Sequence, residues 1–484
     1  MLIRHTTYYL LARGVPGLVN FAALAVYTRL LAPDEFGRYA LVLTGVGLAN
    51  VVVFQWLQLV LLRFLHARGD DSQRFLAGIF ALFLTLALAV TGVGALLALW
   101  WPDPVWQRLL ALAVPLLLAQ AWFELSLELL RARLAPLAYG KLLGSKAVIA
   151  LSLGALLAWI GLGAFAPLLG LIAGHVLAFS LFGLAAWKGV LPAWPAASQL
   201  REQLRYGLPL TVTFALAWVV SGSDRLLLAW LLDEEAAGYY SAGYDLAFQS
   251  LTLVVTIINT AAFPLAVDAL ERGGPVQARE QLAHNGELII TTALSGAAGL
   301  VILAPAVLGL FIGEAFRPGA AAILPIIAAA SAIAAIKAYH FDIAFHLGKH
   351  IRTLVWISAM AAVINVGLNL WLIPRLGIVG AAWATLVAYA IALFASAGIG
   401  RRAFCMPSAL PMLGKSCAAA MFAALGLSLP GLLTGEGPWV LPVAFLGGGL
   451  SIIGAAYWLD LAGARGALKG LARMTTNHAK SRSG

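Results

Sequence analysis

The chain has 484 residues, 62% of them hydrophobic and only 11% charged, with a formal net charge of +10 and a mean hydropathy of +0.92. A soluble chain carries about a quarter charged residues, so this composition excludes a soluble domain and the nucleic-acid partner that its positive charge would otherwise suggest. Apolar runs of about twenty residues recur from end to end, the length a helix needs to cross a bilayer; continuous runs rather than alternation select helices over a barrel.

These features predict an all-α polytopic membrane protein of about fourteen transmembrane helices. In chain order the expected spans are 8–31, 39–62, 75–101, 108–130, 142–162, 165–187 and 207–232, then 239–267, 286–312, 321–347, 353–373, 377–399, 415–433 and 439–461. Breakers stand between them: Pro33, Gly69-Asp70-Asp71, Pro102-Asp103-Pro104, Gly161-Leu162-Gly163, Gly273-Gly274-Pro275, Pro374 with Gly377, and Gly435 to Pro438. Cys405 and Cys417 are the only cysteines, too few for a disulfide framework or a cysteine-built metal site. The first span carries Arg13 and lacks a small-residue cleavage pattern, so it reads as a retained helix.

The basic residues sort by face. Twenty-three Lys and Arg fall on alternate connectors and both termini, among them Arg63, Arg131, Lys141, Lys146, Arg201, Arg205, Arg401 and Arg402. Five fall on the other set: Arg29, Arg38, Arg108, Arg317 and Arg375. By the positive-inside rule both termini are expected in the cytoplasm. Residues 464–484 are expected to form a basic cytoplasmic tail.

The chain also repeats itself. Arg29-Leu-Leu-Ala-Pro-Asp-Glu-Phe-Gly37-Arg-Tyr39 aligns with Trp230-Leu-Leu-Asp-Glu-Glu-Ala-Ala-Gly238-Tyr-Tyr240. Upstream, Arg13-Gly-Val-Pro16 aligns with Tyr206-Gly-Leu-Pro209, about eight residues out of step. Two halves of about six helices, each opening with the same pattern, point to a parallel duplication. Transporters with such repeats place their substrate path between the halves.

Four stretches carry a family resemblance: YTRLLAPDEFGRYALVLT (27–44), YGLPLTVTFALAWVVSGSDRLLLAWLL (206–232), AAGYYSAGYDLA (236–247) and NVGLNLWLIPRLGIVGAAWATLVAY (365–389). They resemble the multidrug/oligosaccharidyl-lipid/polysaccharide exporter superfamily, and within it the bacterial polysaccharide repeat-unit flippases. The resemblance implies two pseudo-symmetric six-helix lobes, 1–200 and 201–402, facing across a cleft in the bacterial inner membrane and followed by two extra helices in 403–463. It also implies alternating access that carries an undecaprenyl-diphosphate-linked oligosaccharide from the cytoplasmic to the periplasmic leaflet. Partners implied with it are that glycan, the bilayer, and a polymerase or glycosyltransferases of the same pathway.

Such a headgroup is anionic and hydroxylated, so intramembrane ionisable residues are the candidate ligands. Arg13, Asn20 and Tyr27 form a polar stripe on the first span. Arg13 reads either as a phosphate ligand or as a side chain snorkelling to the interface. Asp224 and Arg225 lie about 22 Å beyond Pro209. As adjacent residues they point apart, so the pair reads either as structural or as gating or substrate contact. On the tenth span Lys337 shares a face with His340, and Asp342 with His346. Lys337 is the leading phosphate contact. Glu124 and Glu128, four apart on the fourth span, suit proton coupling, or else one of them neutralises Lys337 or Arg13. His175 reads as a helix–helix hydrogen bond. No nucleotide-binding loop or zinc-protease spacing occurs, so no ATP site, cofactor or enzymatic activity is expected, and an ion gradient or the membrane potential is left as the energy source. Two alternatives stay open: a cation-coupled multidrug exporter of the same superfamily, and a membrane glycan polymerase or ligase.

Overall fold

The structure, a computed structural model, describes residues 17–65, 67, 71–434 and 440–465. The described residues form helices and short connectors, with no strand among them. The first is α1, Gly17–Leu30. Next is α2, Pro33–Val53, which has Pro at its first position and Asp34 and Glu35 in its first turn. The Glu35 carboxylate accepts from the Ala32 N–H at 3.0 Å, so this start is capped as its sequence suggests. Helix α2 bends at Phe54 and continues as Gln55–Phe64. After it come α3 (Ser72–Trp100), α4 (Pro104–Ala132), α5 (Pro136–Trp159), α6 (Phe165–Phe182) and α7 (Ala197–Leu231). Asp103 caps α4 by accepting from the Val105 N–H at 2.8 Å.

Glu234–Ile302 runs through 69 residues of helical hydrogen bonding, but Gly274 inside it has φ 72°. That left-handed conformation is open to glycine, and it turns the chain between α8 (234–273) and α9 (275–302). Ala304–Phe311 extends α9, and Glu314–Leu347 is α10. Gly377, at φ 59°, divides Ile351–Ala403 in the same way into α11 (351–376) and α12 (378–403). Ala409–Thr434 is α13 and Val440–Trp458 is α14. Each of the fourteen expected spans is thus occupied by a helix.

The helices overrun the expected edges. At 1.5 Å per residue α8 is about 60 Å long, against a hydrocarbon core of about 30 Å. Its outer turns carry an exposed ion pair, Arg272 Nε to Asp268 Oδ1 at 2.8 Å. Apolar patterning marks only the part of a helix that lies in lipid.

The chain divides into two compact units. The first gathers the described residues up to Ala242 with Phe311–Gly319 and Val366–Ala381. Its core joins α2, α3, α4 and α6 through Phe54, Leu61, Ile79, Leu109, Leu125 and Leu168. Small residues bring α5 and α6 together. A Cβ on Gly170 would meet the Ala150 carbonyl and Gly154, and one on Gly174 would meet Ala150 at 2.7 Å, the close approach that small residues permit between membrane helices.

The same unit contains a reciprocal contact. A Cβ on Gly37 would overlap the Glu234 carbonyl and lie 3.1 Å from the Gly238 nitrogen, and one on Gly238 would overlap the Pro33 carbonyl and lie 3.1 Å from the Gly37 nitrogen. Gly37 and Gly238 are equivalent positions of the repeat, and so are Pro33 and Glu234. Equivalent residues that exchange contacts in this way define a local two-fold.

The second unit comprises Gly243–Leu310, Ala320–Asn365 and the described residues from Ala382 onward. Val255, Ile289, Ile290, Ala332, Phe341 and Met412 form a core joining α8, α9, α10 and α13. Outward faces of the helices are apolar: Leu88 and Leu99 are 75% exposed, Phe394 72% and Leu450 69%. Apolar surface on this scale belongs in lipid, and the protein is a multi-pass membrane protein.

Candidate functional site

In the first unit Glu124, on α4, is a hub. Its Oε2 accepts from Asn50 Nδ2 at 2.8 Å and from Gln58 Nε2 at 3.0 Å, while Oε1 accepts from Gln120 Nε2 at 2.9 Å. Asn50 comes from α2 and Gln58 from its continuation. Lys146, on α5, lies within electrostatic range of Glu124, and also of His175 on α6. His175 Nδ1 lies 2.7 Å from the Leu171 carbonyl, one turn back on its own helix. Three side-chain amides thus converge on one carboxylate inside a helix bundle, with Lys146 within electrostatic range.

Glu128 does not join it; it pairs with Arg131 at 3.3 Å. The two carboxylates share a helix face but take separate partners. Lys146, counted among connector charges from its sequence position, sits ten residues into α5. Of the hub's members, Gln120 had a legible signal, four residues from Glu124. Asn50, Gln58 and Lys146 had none.

Asp224 is fully buried on α7. It accepts from the Tyr240 hydroxyl and from Asn369 Nδ2, both at 2.7 Å, so it ties α7 to the first turns of α8 and to α11 within the first unit. Arg225 beside it is half-buried. One turn from the Gly37–Gly238 contact, Glu234 accepts from Arg38 Nε and from Trp106 Nε1, both at 2.5 Å; Arg38 also reaches Asp34 at 3.4 Å.

In the second unit Lys337 opens a single π-helical turn, Lys337–Phe341. Wider winding brings residues five apart together, and Lys337 Nζ meets Asp342 Oδ2 at 2.7 Å. Asp342 Oδ1 accepts from Ser396 Oγ of α12 at 2.7 Å. The regular-helix reading, which set Lys337 with His340 and Asp342 with His346, is corrected here: a π turn is silent in residue spacing. His340 is 1% exposed and neither ring nitrogen has a hydrogen-bond partner among the described residues. Its ring lies over Gly286 of α9, where a Cβ would come within 2.6 Å, near the Met412 sulfur.

Glu287, missed in the sequence, anchors the last helices to α9. Its carboxylate pairs with Lys415 of α13 at 2.9 Å and accepts from the Ala462 N–H at 2.7 Å. Arg13 lies outside the described residues. Asn20 is exposed, whereas Tyr27, two turns on, is buried with its hydroxyl 3.5 Å from the Ala150 carbonyl. A cavity of about 1380 Å³ at the start of α7 presents Arg201 and Arg205 beside Phe64 and Tyr206. Among the described residues no group of three His, Cys, Asp or Glu side chains is placed to hold a metal.

Comparison with solved structures places this architecture. The fold is similar to that of the lipid II flippase MurJ in an inward closed conformation, with a TM-score of 0.74 at 13% identity over 93% of this chain and 98% of that one. It is also similar to a multidrug resistance MATE family transporter of the MOP superfamily in an inward-facing conformation, at 0.60 and 14% over 81% and 97%. A MOP superfamily transporter from Pyrococcus furiosus matches at 0.57 and 14% over 83% and 94%. The fold is therefore that of polytopic MOP-type transporters. A comparison with curated protein sequences returned no match. At the level of families, residues 26–321 match the polysaccharide biosynthesis protein family, and the chain belongs to it.

Proposed function

We propose that this protein is a flippase that moves an undecaprenyl-diphosphate-linked oligosaccharide from the cytoplasmic to the periplasmic leaflet of the bacterial inner membrane by alternating access. The observation that carries the reading is the coincidence of two findings: a chain of the polysaccharide biosynthesis protein family has a fold similar to that of a lipid II flippase over 93% of its length. The charges suit an anionic headgroup. Arg201 and Arg205 line a cavity at the end of α7 expected in the cytoplasm, where a diphosphate would first meet the protein. Lys337, 12% exposed, is the more buried cation. At rest its ammonium is held by Asp342; a diphosphate oxygen takes the place of that carboxylate, and Ser396 keeps Asp342 hydrogen-bonded when Lys337 leaves. Energy comes from an ion gradient or the membrane potential, with Glu124 as the group that takes up the charge.

Glu124 with its three amides also fits a second reading, a cation-coupled multidrug exporter. The polymerase or ligase reading finds no support in the connectors at 101–104, 232–234, 312–314 and 374–377, which are too short for a catalytic domain.

Lys337→Ala removes one charge-assisted contact, so the rate at which lipid-linked oligosaccharide reaches the outer leaflet should fall about ten- to a hundredfold at unchanged protein level. Normal translocation in Lys337→Ala would remove Lys337 from the substrate path. Export of a cationic dye by wild-type protein that cannot move the glycolipid would install the second reading instead.

A further inference from the structure

The first unit contains a cavity of about 870 Å³ between α2, α3, α4 and the end of α7. Neither the polar hubs nor the proposed substrate path uses it. Its walls are Leu, Val, Ala, Gly and Trp, and Glu234 is its one ionisable lining residue. A cavity with such walls stays dry and takes up hydrocarbon, and its size falls within the range of small-molecule sites, about 300–1,000 Å³.

Its shape follows a lipid chain. On α2 the lining runs from Leu41 to Val53, about 18 Å along the helix axis, close to the ~15 Å that half of a ~30 Å hydrocarbon core provides. It opens sideways along α3, where the lining residues Val93 and Leu97 are 58% and 51% exposed. At one end stand Trp101, Trp106 and Trp230, the residue type that marks the headgroup level of a bilayer.

The same end is charged, and its charges choose the headgroup. Glu234 is held by Arg38 and by the Trp106 indole, and Arg38 also reaches Asp34. Two carboxylates beside one guanidinium suit a zwitterion, with an ammonium toward the carboxylates and a phosphate toward Arg38. They repel a diphosphate.

We propose that this cavity is a binding site for one acyl chain of a zwitterionic, ammonium-bearing bilayer phospholipid, seated with its headgroup at the Arg38–Glu234–Trp106 cluster. The occupant is a resident lipid, distinct from the diphosphate-linked cargo. It fills the space between α2, α3 and α4 from the lipid side, so the packing of these helices depends on the composition of the surrounding leaflet.

The walls supply their own test. A Cβ on Gly45, which lines the cavity, meets nothing within 4 Å, so Gly45→Phe starts a side chain in open space on the cavity wall. Ala89→Phe fills it from the opposite wall on α3. The full-length protein is reconstituted in vesicles containing phosphatidylethanolamine with a photoreactive group near the end of one acyl chain, irradiated, digested and mapped. Adducts should concentrate in segments 41–53 and 86–97, and should fall about tenfold there in Gly45→Phe and Ala89→Phe, at unchanged elution in size exclusion. The same chain on an anionic glycerol headgroup, or a photoreactive polyprenyl diphosphate, should label these segments weakly. Label spread evenly over the lipid-facing helices, label that persists in both variants, or preferential labelling by the polyprenyl diphosphate would each overturn the proposal.

Discussion

Glu124 gathers its partners from Asn50 and Gln58, 74 and 66 residues away in the chain, and from Gln120 one turn back. Three amide donors onto two oxygens hold the carboxylate in place, and Lys146 lies within its electrostatic range. If Glu124 couples transport to a proton gradient, Glu124→Gln removes the carboxylate and leaves most of the packing. Transport in proteoliposomes should then become indifferent to an imposed pH gradient, while the folded fraction stays near that of wild type. A variant that still answers the gradient at full amplitude would move coupling elsewhere. Legibility at this scale was partial for a physical reason. Intramembrane charge shows in sequence where it falls well inside an apolar span, so Glu124, Asp224, Lys337 and Asp342 stood out, whereas Lys146, near the start of the expected span 142–162, was counted with the connectors although it lies within α5. Their partners Asn50, Gln58, Tyr240, Asn369 and Ser396 are ordinary polar residues of other helices, and only packing brings them in. Asp224, fully buried with a tyrosine and an asparagine on it, has the surroundings of a residue that holds helices together.

Between helices, backbone contact decides more than side-chain charge. Gly37 and Gly238 stand at equivalent places in two copies of one turn, and each leaves room only for the other's chain. Gly37→Leu should therefore destabilise the protein by at least the 1–3 kcal/mol typical of overpacking, because the obstacle is a carbonyl that no rotamer change can move. Gly238→Leu should cost about as much, whereas Gly144→Ala, whose Cβ would meet nothing within 4 Å, should leave the stability within about 0.5 kcal/mol of wild type. Thermal unfolding of the purified variants gives the comparison. Equal melting temperatures for all three would mean that the two-fold contact contributes nothing to stability. The aligned turns mark the two glycines as equivalent, but only packing shows that they touch. The π turn at Lys337–Phe341 was not readable, since a helix with one residue of extra winding has the same apolar composition as a regular one. The lengths of α8 and α9 were underestimated for a related reason: charged outer turns continue a helix without continuing its hydrophobicity.

Over the whole molecule, the alternation of basic connectors makes orientation an expectation from charge. Twenty-three Lys and Arg counted by sequence position on one set of connectors and termini, Lys146 of α5 among them, against five on the other predict which ends of the helices face the cytoplasm, and with them the direction in which a substrate would travel. The two native cysteines are exposed, and Cys405 follows Arg401 and Arg402 on the basic side, so Cys417→Ser leaves a single reporter there. On the opposite side Arg375 is exposed in the turn between α11 and α12, and Arg375→Cys in a background of Cys405→Ser and Cys417→Ser places the reporter on that face. A membrane-impermeant maleimide added to intact spheroplasts should label the Arg375→Cys protein at once, and should label Cys405 only after the membrane is opened. Labelling of Cys405 in intact spheroplasts would invert the molecule, put the Arg201–Arg205 cavity on the outer face, and reverse the proposed direction of transport. An orientation expected from charge adds up over the whole chain, so one misplaced residue such as Lys146 changes little. Substrate choice rests on a few side chains whose meaning depends on their neighbours: Lys337 held by Asp342 is a phosphate ligand only if an anion can displace that carboxylate.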